Sequence, residues 1–271
     1  MPETMPLLAM HGFTGRGSDF APFAALCADL AVGTWHCPDL PGHGIGNERD
    51  CSPEATVRWI EATAASAFAA TDTSPRIALG YSMGARAALL HAIEHPEAWD
   101  ALILVSGNPG IQTAEDRAAR VVTDEELAQS LQRMGVPAFL EFWQETPLIR
   151  SQKNILSAWR ERMLEARQQH TVDGLVRSLR QFGQGSYPNL WPSLKELKIP
   201  ICLITGARDE KYTEIAQRMR PLLPNLQSRA ASIEAASHMP HLEQAKATAA
   251  VVTEFLKQII QPSPARPYGS A

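Results

Sequence analysis

Residues 80–84 read Gly-Tyr-Ser-Met-Gly, where a short apolar run, Arg76–Tyr81, passes without a linker into an amphipathic stretch starting at Met83. A strand that turns directly into a helix brings the two backbones close together. The flanking positions then have no room for side chains, and the residue at the apex is strained with its side chain turned outward. Gly80 and Gly84 meet that demand and leave the Ser82 hydroxyl at a helix N-terminus, where the dipole favours developing negative charge. The competing reading, a glycine-rich nucleotide-binding turn, lacks the Gly-x-Gly-x-x-Gly spacing it needs.

The rest of the chain fits an open sheet around that bend. Short apolar runs bounded by turn residues, at 6–10, 76–81, 101–106 and 199–205, read as buried parallel strands, with weaker candidates at 35–38 and 228–234. Amphipathic stretches at 19–30, 53–70, 83–95 and 240–260 alternate with them, which argues for an α/β sheet covered on both faces. The alternation breaks once. Between Pro109 and Pro192 the pattern is helical only, at 124–134, 137–145, 153–167 and 172–182, an insertion that follows a strand's C-terminal end and so reads as a cap over a ligand pocket. Residues 262–271, rich in Pro, Ser and Ala, read as a disordered tail.

A serine hydroxyl is a weak nucleophile or base unaided and requires a histidine, which in turn requires a carboxylate to fix its tautomer. Asp209 stands just past the run 201–205 and His238 just past the run 228–234, giving the order Ser82, Asp209, His238. Asp39, Glu210 and His241 are the competitors: Asp39 precedes the serine, and the other two are displaced from the strand ends. Upstream, His11-Gly-Phe-Thr-Gly15 follows the first strand and Asp39-Leu-Pro-Gly-His-Gly44 the second. Gly12 lets the backbone bend so that the Phe13 amide, with that of Met83, forms an oxyanion hole. His11 and His43 read as turn residues.

Composition excludes several classes. Of 271 residues, 45% are hydrophobic and 20% charged, with a net charge of -4, which suggests neither a nucleic-acid binder nor a disordered chain. Cys27, Cys37, Cys51 and Cys202 form no CxxC pair and have no histidines at metal-ligand spacing, so reduced thiols are expected. The first ten residues lack the basic segment of a signal peptide and no apolar window is long enough to span a membrane, so a cytoplasmic protein is expected.

Together, HGFTG, DLPGHG, GYSMGAR, the aspartate past a strand and the late histidine resemble the α/β-hydrolase superfamily over nearly the whole chain. The resemblance implies an α/β-hydrolase fold with a mostly parallel sheet and an inserted helical cap. The hairpin that usually opens the fold is trimmed here, leaving about six or seven strands. The core is then expected at 1–108 and 193–261, and the cap at 109–192.

The scaffold does not fix the reaction. Basic residues in the insertion are nearly all arginines, whose planar fork suits bidentate carboxylate binding. GYSMGAR, the segment from Asn108 to Arg120, the region of Trp143 and LRQFGQGSYPNLWPSL at 179–194 resemble the 2-succinyl-6-hydroxy-2,4-cyclohexadiene-1-carboxylate synthases of menaquinone biosynthesis. This resemblance implies that Arg86, Arg120 and Arg167 meet the carboxylates of a small polycarboxylate and that Tyr81 and Trp143 line its pocket. It also implies a carbon–oxygen lyase that expels pyruvate without an acyl-enzyme and needs no metal or organic cofactor. Each arginine has an alternative reading as the ion-pair partner of a nearby acid. The chain departs from the family pattern at Ala85, where a second glycine is common, and at Ser106-Gly-Asn108. A serine carboxylesterase or carbon–carbon bond hydrolase, and a ligand receptor on the same scaffold, are the rival functions.

Overall fold

Among the described residues six strands form one sheet: β1 (Met5–Met10), β2 (Val32–His36), β3 (Ile77–Tyr81), β4 (Ala101–Val105), β5 (Ile201–Gly206) and β6 (Arg229–Ile233). The structure, a computed structural model, describes residues 5–27, 32–45, 49–69 and 75–260. The expected tail at 262–271 lies outside them.

All pairings are parallel, in the order β2-β1-β3-β4-β5-β6. The central strands β3, β4 and β5 are buried along their whole length, as a parallel sheet covered on both faces requires. β2 lies earlier than the 35–38 expected, with Trp35 and His36 opposite Leu7 and Leu8; Pro38 has no N–H with which to extend the ladder. The order reverses between β1 and β3, so the crevice beyond their C-terminal ends is where an open α/β sheet receives a ligand.

Helices α1 (Ala21–Cys27) and α9 (Ala245–Ile260) cover one face, burying Phe23, Cys27, Val252, Phe255 and Leu256. The other face is covered by α2 (Pro53–Ala67), α3 (Met83–Glu94) and α7 (Glu210–Met219). α7 was not expected, although Tyr212, Ala216 and Met219 form its buried stripe. The expected 240–260 helix is divided at Gln244 into α8 (Pro240–Glu243) and α9. All four cysteines are free thiols.

Between β4 and β5 the chain is helical: α4 (Ala114–Gln144), α5 (Ser157–Arg167) and α6 (Val172–Phe182). α4 begins at Ala114 rather than at 124, because Thr113 caps it by accepting from the Asp116 amide at 3.0 Å, with Glu115 and Asp116 in the first turn. It is interrupted where the two helices 124–134 and 137–145 were expected to separate: Gly135 has φ 72° and ψ 170°, and Pro137 follows. The expected 153–167 helix starts later, since residues 150–154 form a separate 3-10 turn. α4 and α6 close on a small apolar core of Leu131, Phe139, Leu140, Leu175 and Leu179, against which Phe13 of the β1–α1 loop packs.

Candidate active site

Ser82 occupies the apex between β3 and α3 with φ 52° and ψ -106°, and its amide donates to the Val105 carbonyl at 2.8 Å. The flanking glycines are there for close approach. A Cβ at Gly80 would strike the carbonyl of Gly84, and one at Gly84 would strike the carbonyl of Met10 on β1. Backbone strain of this kind costs on the order of 1–3 kcal/mol and persists only where the surroundings fix it.

Asp209 and His238 reach the serine from the ends of β5 and β6. The buried Asp209 carboxylate accepts from Nδ1–H of His238 at 2.6 Å, which leaves Nε2 to accept from the Ser82 hydroxyl at 3.0 Å. Asp209 is also the N-cap of α7, accepting from the Tyr212 amide at 3.4 Å, so the unanticipated helix holds the carboxylate in place. The Tyr212 ring stands edge-on to His238, with centroids 4.5 Å apart. These contacts turn Nε2 of the His238 imidazole toward the serine oxygen.

The rival residues are occupied elsewhere. His11 donates from Nδ1 to the Gly12 carbonyl at 2.8 Å and accepts the Leu40 amide on Nε2 at 2.9 Å, pinning two loops together. His43 is buried against the rings of His11 and Phe13, with Nδ1 3.1 Å from the Pro41 carbonyl. Asp39 forms an ion pair with Arg16 at 2.9 Å and accepts the Gly17 amide at 2.9 Å. Glu210 is exposed. His241 is buried behind Tyr81, with ring centroids 4.7 Å apart, stacks on Phe20, and is pushed by burial down to about 3.

Gly12, Phe13, Tyr81, Ser82 and Met83 form the floor of a cleft roofed by the insertion. Neither the Phe13 nor the Met83 amide is engaged in a hydrogen bond among the described residues. The roof includes Trp143, whose buried indole N–H has no partner among those residues and whose ring meets Phe13 edge-on at 5.5 Å. The open cavity is only about 60 Å³.

The three arginines divide. Arg86 is buried on the cleft wall, donating from Nη1 to the carbonyls of Phe182 at 3.0 Å and Gly183 at 3.4 Å, with its guanidinium over the rings of Phe182 and Tyr187. Among the described residues no carboxylate pairs with it, and burial lowers its proton affinity. Arg120 also lines the cleft, but its Nε donates to Asp124 at 2.7 Å. Arg167 does not line this cleft: it is buried in an ion pair with Asp19 at 3.1 Å, with Nη1 donating to Gln152 at 3.0 Å. It ties α5 to the core, an attachment between residues too distant in sequence to be read from spacing. Gln184, within the 179–194 segment, also lines the cleft and donates to the Tyr212 hydroxyl at 3.3 Å; no residue-level reading of that segment singles it out.

Among the described residues no group of three or more His, Cys, Asp or Glu side chains is arranged to hold a metal ion, and no helix is long and apolar enough to cross a membrane.

Comparison with known proteins finds a family, named relatives and a similar solved structure. The model of the alpha/beta hydrolase family matches residues 7–251. A Bacillus subtilis (strain 168) protein, named provisionally as a 2-succinyl-6-hydroxy-2,4-cyclohexadiene-1-carboxylate synthase, is 33% identical over 93% of this chain and 90% of its own length. The synthase of that name from Yersinia pestis (strain Pestoides F) is 29% identical over 93% of this chain and 87% of its own. Among solved structures, MenH from S. aureus superposes with a TM-score of 0.84 at 28% identity, covering 96% of each chain.

Proposed function

The chain belongs to the alpha/beta hydrolase family, and from that premise we propose that it acts in menaquinone biosynthesis as a carbon–oxygen lyase. It eliminates pyruvate from 2-succinyl-5-enolpyruvyl-6-hydroxy-3-cyclohexene-1-carboxylate to give 2-succinyl-6-hydroxy-2,4-cyclohexadiene-1-carboxylate. Relatives named for that activity, matched over most of their length, support the reading.

Arg86 carries it. A buried guanidinium held by carbonyls and aromatic rings, with no carboxylate in ion-pair distance, keeps a positive charge that an anionic ligand would neutralise, and this one shares a cleft with Ser82. Esters of simple acids have no use for such a group.

In the proposed reaction His238 Nε2 accepts the Ser82 proton while the serine oxygen removes a proton from the ring carbon next to a carbonyl. The electron pair passes through the ring double bond, the carbon–oxygen bond of the enolpyruvyl ether breaks, and the released enolpyruvate takes up a proton at its methylene carbon to become pyruvate. The ring's single double bond shifts and a second forms where the ether left, so the product ring carries two conjugated double bonds. The enolate-like charge of the transition state falls to the Phe13 and Met83 amides, and Asp209 stabilises the imidazolium that forms. Arg86 and Arg120 hold the carboxylates, and Tyr81 and Trp143 enclose the ring.

An acyl-transfer hydrolase would use the same serine. The test separates the two: the lyase releases pyruvate from the enolpyruvyl substrate and turns over p-nitrophenyl esters weakly. An esterase gives a p-nitrophenol burst and no pyruvate.

A further inference from the structure

Glu243 is a buried carboxylate outside the triad, and its bonds bracket the histidine. Oε2 accepts the amide of Ser237 at 2.8 Å and Oε1 the amide of Met239 at 2.9 Å, the residues on either side of His238. A third donor comes from the insertion: the Ser151 hydroxyl donates to Oε1 at 2.9 Å. Among the described residues no cation lies within ion-pair distance of this carboxylate. Burying an unpaired anion is costly unless several charge-assisted hydrogen bonds hold it, and here all three are spent on one loop and one turn. Ser151 belongs to the turn 150–154, which directly follows Leu148 and Ile149 of the cleft lining. The next residue, Gln152, accepts from Arg167 of α5 at 3.0 Å, and Arg167 in turn pairs with Asp19 of the core.

We infer that Glu243 is a positioning residue that sets the placement of His238, and that Ser151 is the tie through which the roof of the cleft supports it. The carboxylate fixes the two peptide groups that carry the imidazole. A displacement of the turn by a ligand against Leu148 and Ile149 reaches His238 through a single shared oxygen, Oε1. This rests on the proposed role of His238 as the base that activates Ser82.

The test compares Glu243→Gln, Ser151→Ala and Ser151→Thr in the full chain by two readouts. The first is the second-order rate of Ser82 phosphonylation by a small fluorophosphonate, followed by mass spectrometry. The second is the far-downfield proton resonance of the His238–Asp209 hydrogen bond, assigned by its loss in Asp209→Asn. Glutamine sets an N–H donor against a backbone donor, so Glu243→Gln is expected to slow labelling 10- to 100-fold and to shift or broaden the resonance. Ser151→Ala is expected to slow it 3- to 10-fold, and Ser151→Thr to restore it within twofold. Wild-type labelling with an unmoved resonance in Glu243→Gln overturns the inference; should that variant fail to fold, an unchanged rate in Ser151→Ala does so. A wild-type protein that shows the resonance but is not labelled counts against the triad reading alone, and the resonance in the variants then decides the role of Glu243.

Discussion

Arg86 Nη1 and the carbonyl of Phe182, 3.0 Å apart, join the helix that follows the serine to the last residue of α6, so the cation at the cleft wall is also a contact between the two layers of the molecule. Losing the side chain removes the charge and that contact together. Arg86→Ala is expected to lower kcat/KM for the enolpyruvyl substrate by about 2–5 kcal/mol, at least a 30-fold loss expressed chiefly in KM. Arg86→Lys should recover only part of it, because an ammonium lacks the planar fork. Steady-state kinetics with KM unchanged in both variants would remove the anionic-substrate argument.

Ser82→Ala leaves the bend and its glycines in place while deleting the hydroxyl that His238 faces at 3.0 Å. Turnover is expected to fall by several orders of magnitude with the thermal midpoint held or raised, since the strained apex is retained and the triad acts as a unit. Calorimetry beside the kinetic assay checks both halves. Retained turnover would mean that another group takes the proton.

Gly135 breaks α4 at φ 72° and ψ 170°, a region essentially reserved for glycine, and a Cβ there would meet nothing within 4 Å. Gly135→Ala therefore carries backbone strain without a clash, on the order of 1–3 kcal/mol. A melting midpoint lower by roughly 2–10 °C is expected. An unchanged midpoint would indicate that the break relaxes into a continuous helix.

The buried histidines set an acid limit. His170 donates to the Thr14 carbonyl and accepts the Gly44 amide, both at 2.9 Å, and burial pushes it down to about 4; burial also lowers His11 and takes His43 well below its ordinary value. These groups stay neutral in the folded chain while the unfolded chain takes up protons below about 6.5. Their share of the stability is thus complete above that pH and is lost as the pH falls below it, for His170 down to about 4, at up to about 1.4 kcal/mol per pH unit. Urea midpoints should drop between pH 7 and pH 5. His170→Gln, whose amide can make both bonds, should show a shallower drop, and an equal slope in variant and wild type would exclude His170 as a contributor.

Much of the fold was legible because parallel strands announce themselves as short apolar runs, and the bend at Ser82 because two glycines at fixed spacing leave few alternatives. Asp209 and His238 followed from their position past strand ends, which is a topological rule and needs no contact information. What escaped was set by contacts distant in sequence. For Arg167 the family resemblance implies a pocket arginine and the sequence also allows an ion pair with an acid, but nothing in it announces that the acid is Asp19, 148 positions away. Glu243 was invisible because its partners are two backbone amides and a hydroxyl from the insertion. α7 is the exception: Tyr212, Ala216 and Met219 form a readable stripe, with Asp209 before it as a cap. The start of α4 at Ala114 was likewise announced by Thr113 and the two acids after it.

The most direct measurement is pyruvate release, followed through lactate dehydrogenase, when the chain is mixed with 2-succinyl-5-enolpyruvyl-6-hydroxy-3-cyclohexene-1-carboxylate. Rapid, stoichiometric pyruvate with wild type, reduced by at least about a thousandfold in Ser82→Ala, is the predicted result. Release no faster than the spontaneous rate, or equal release by the two proteins, would contradict the account.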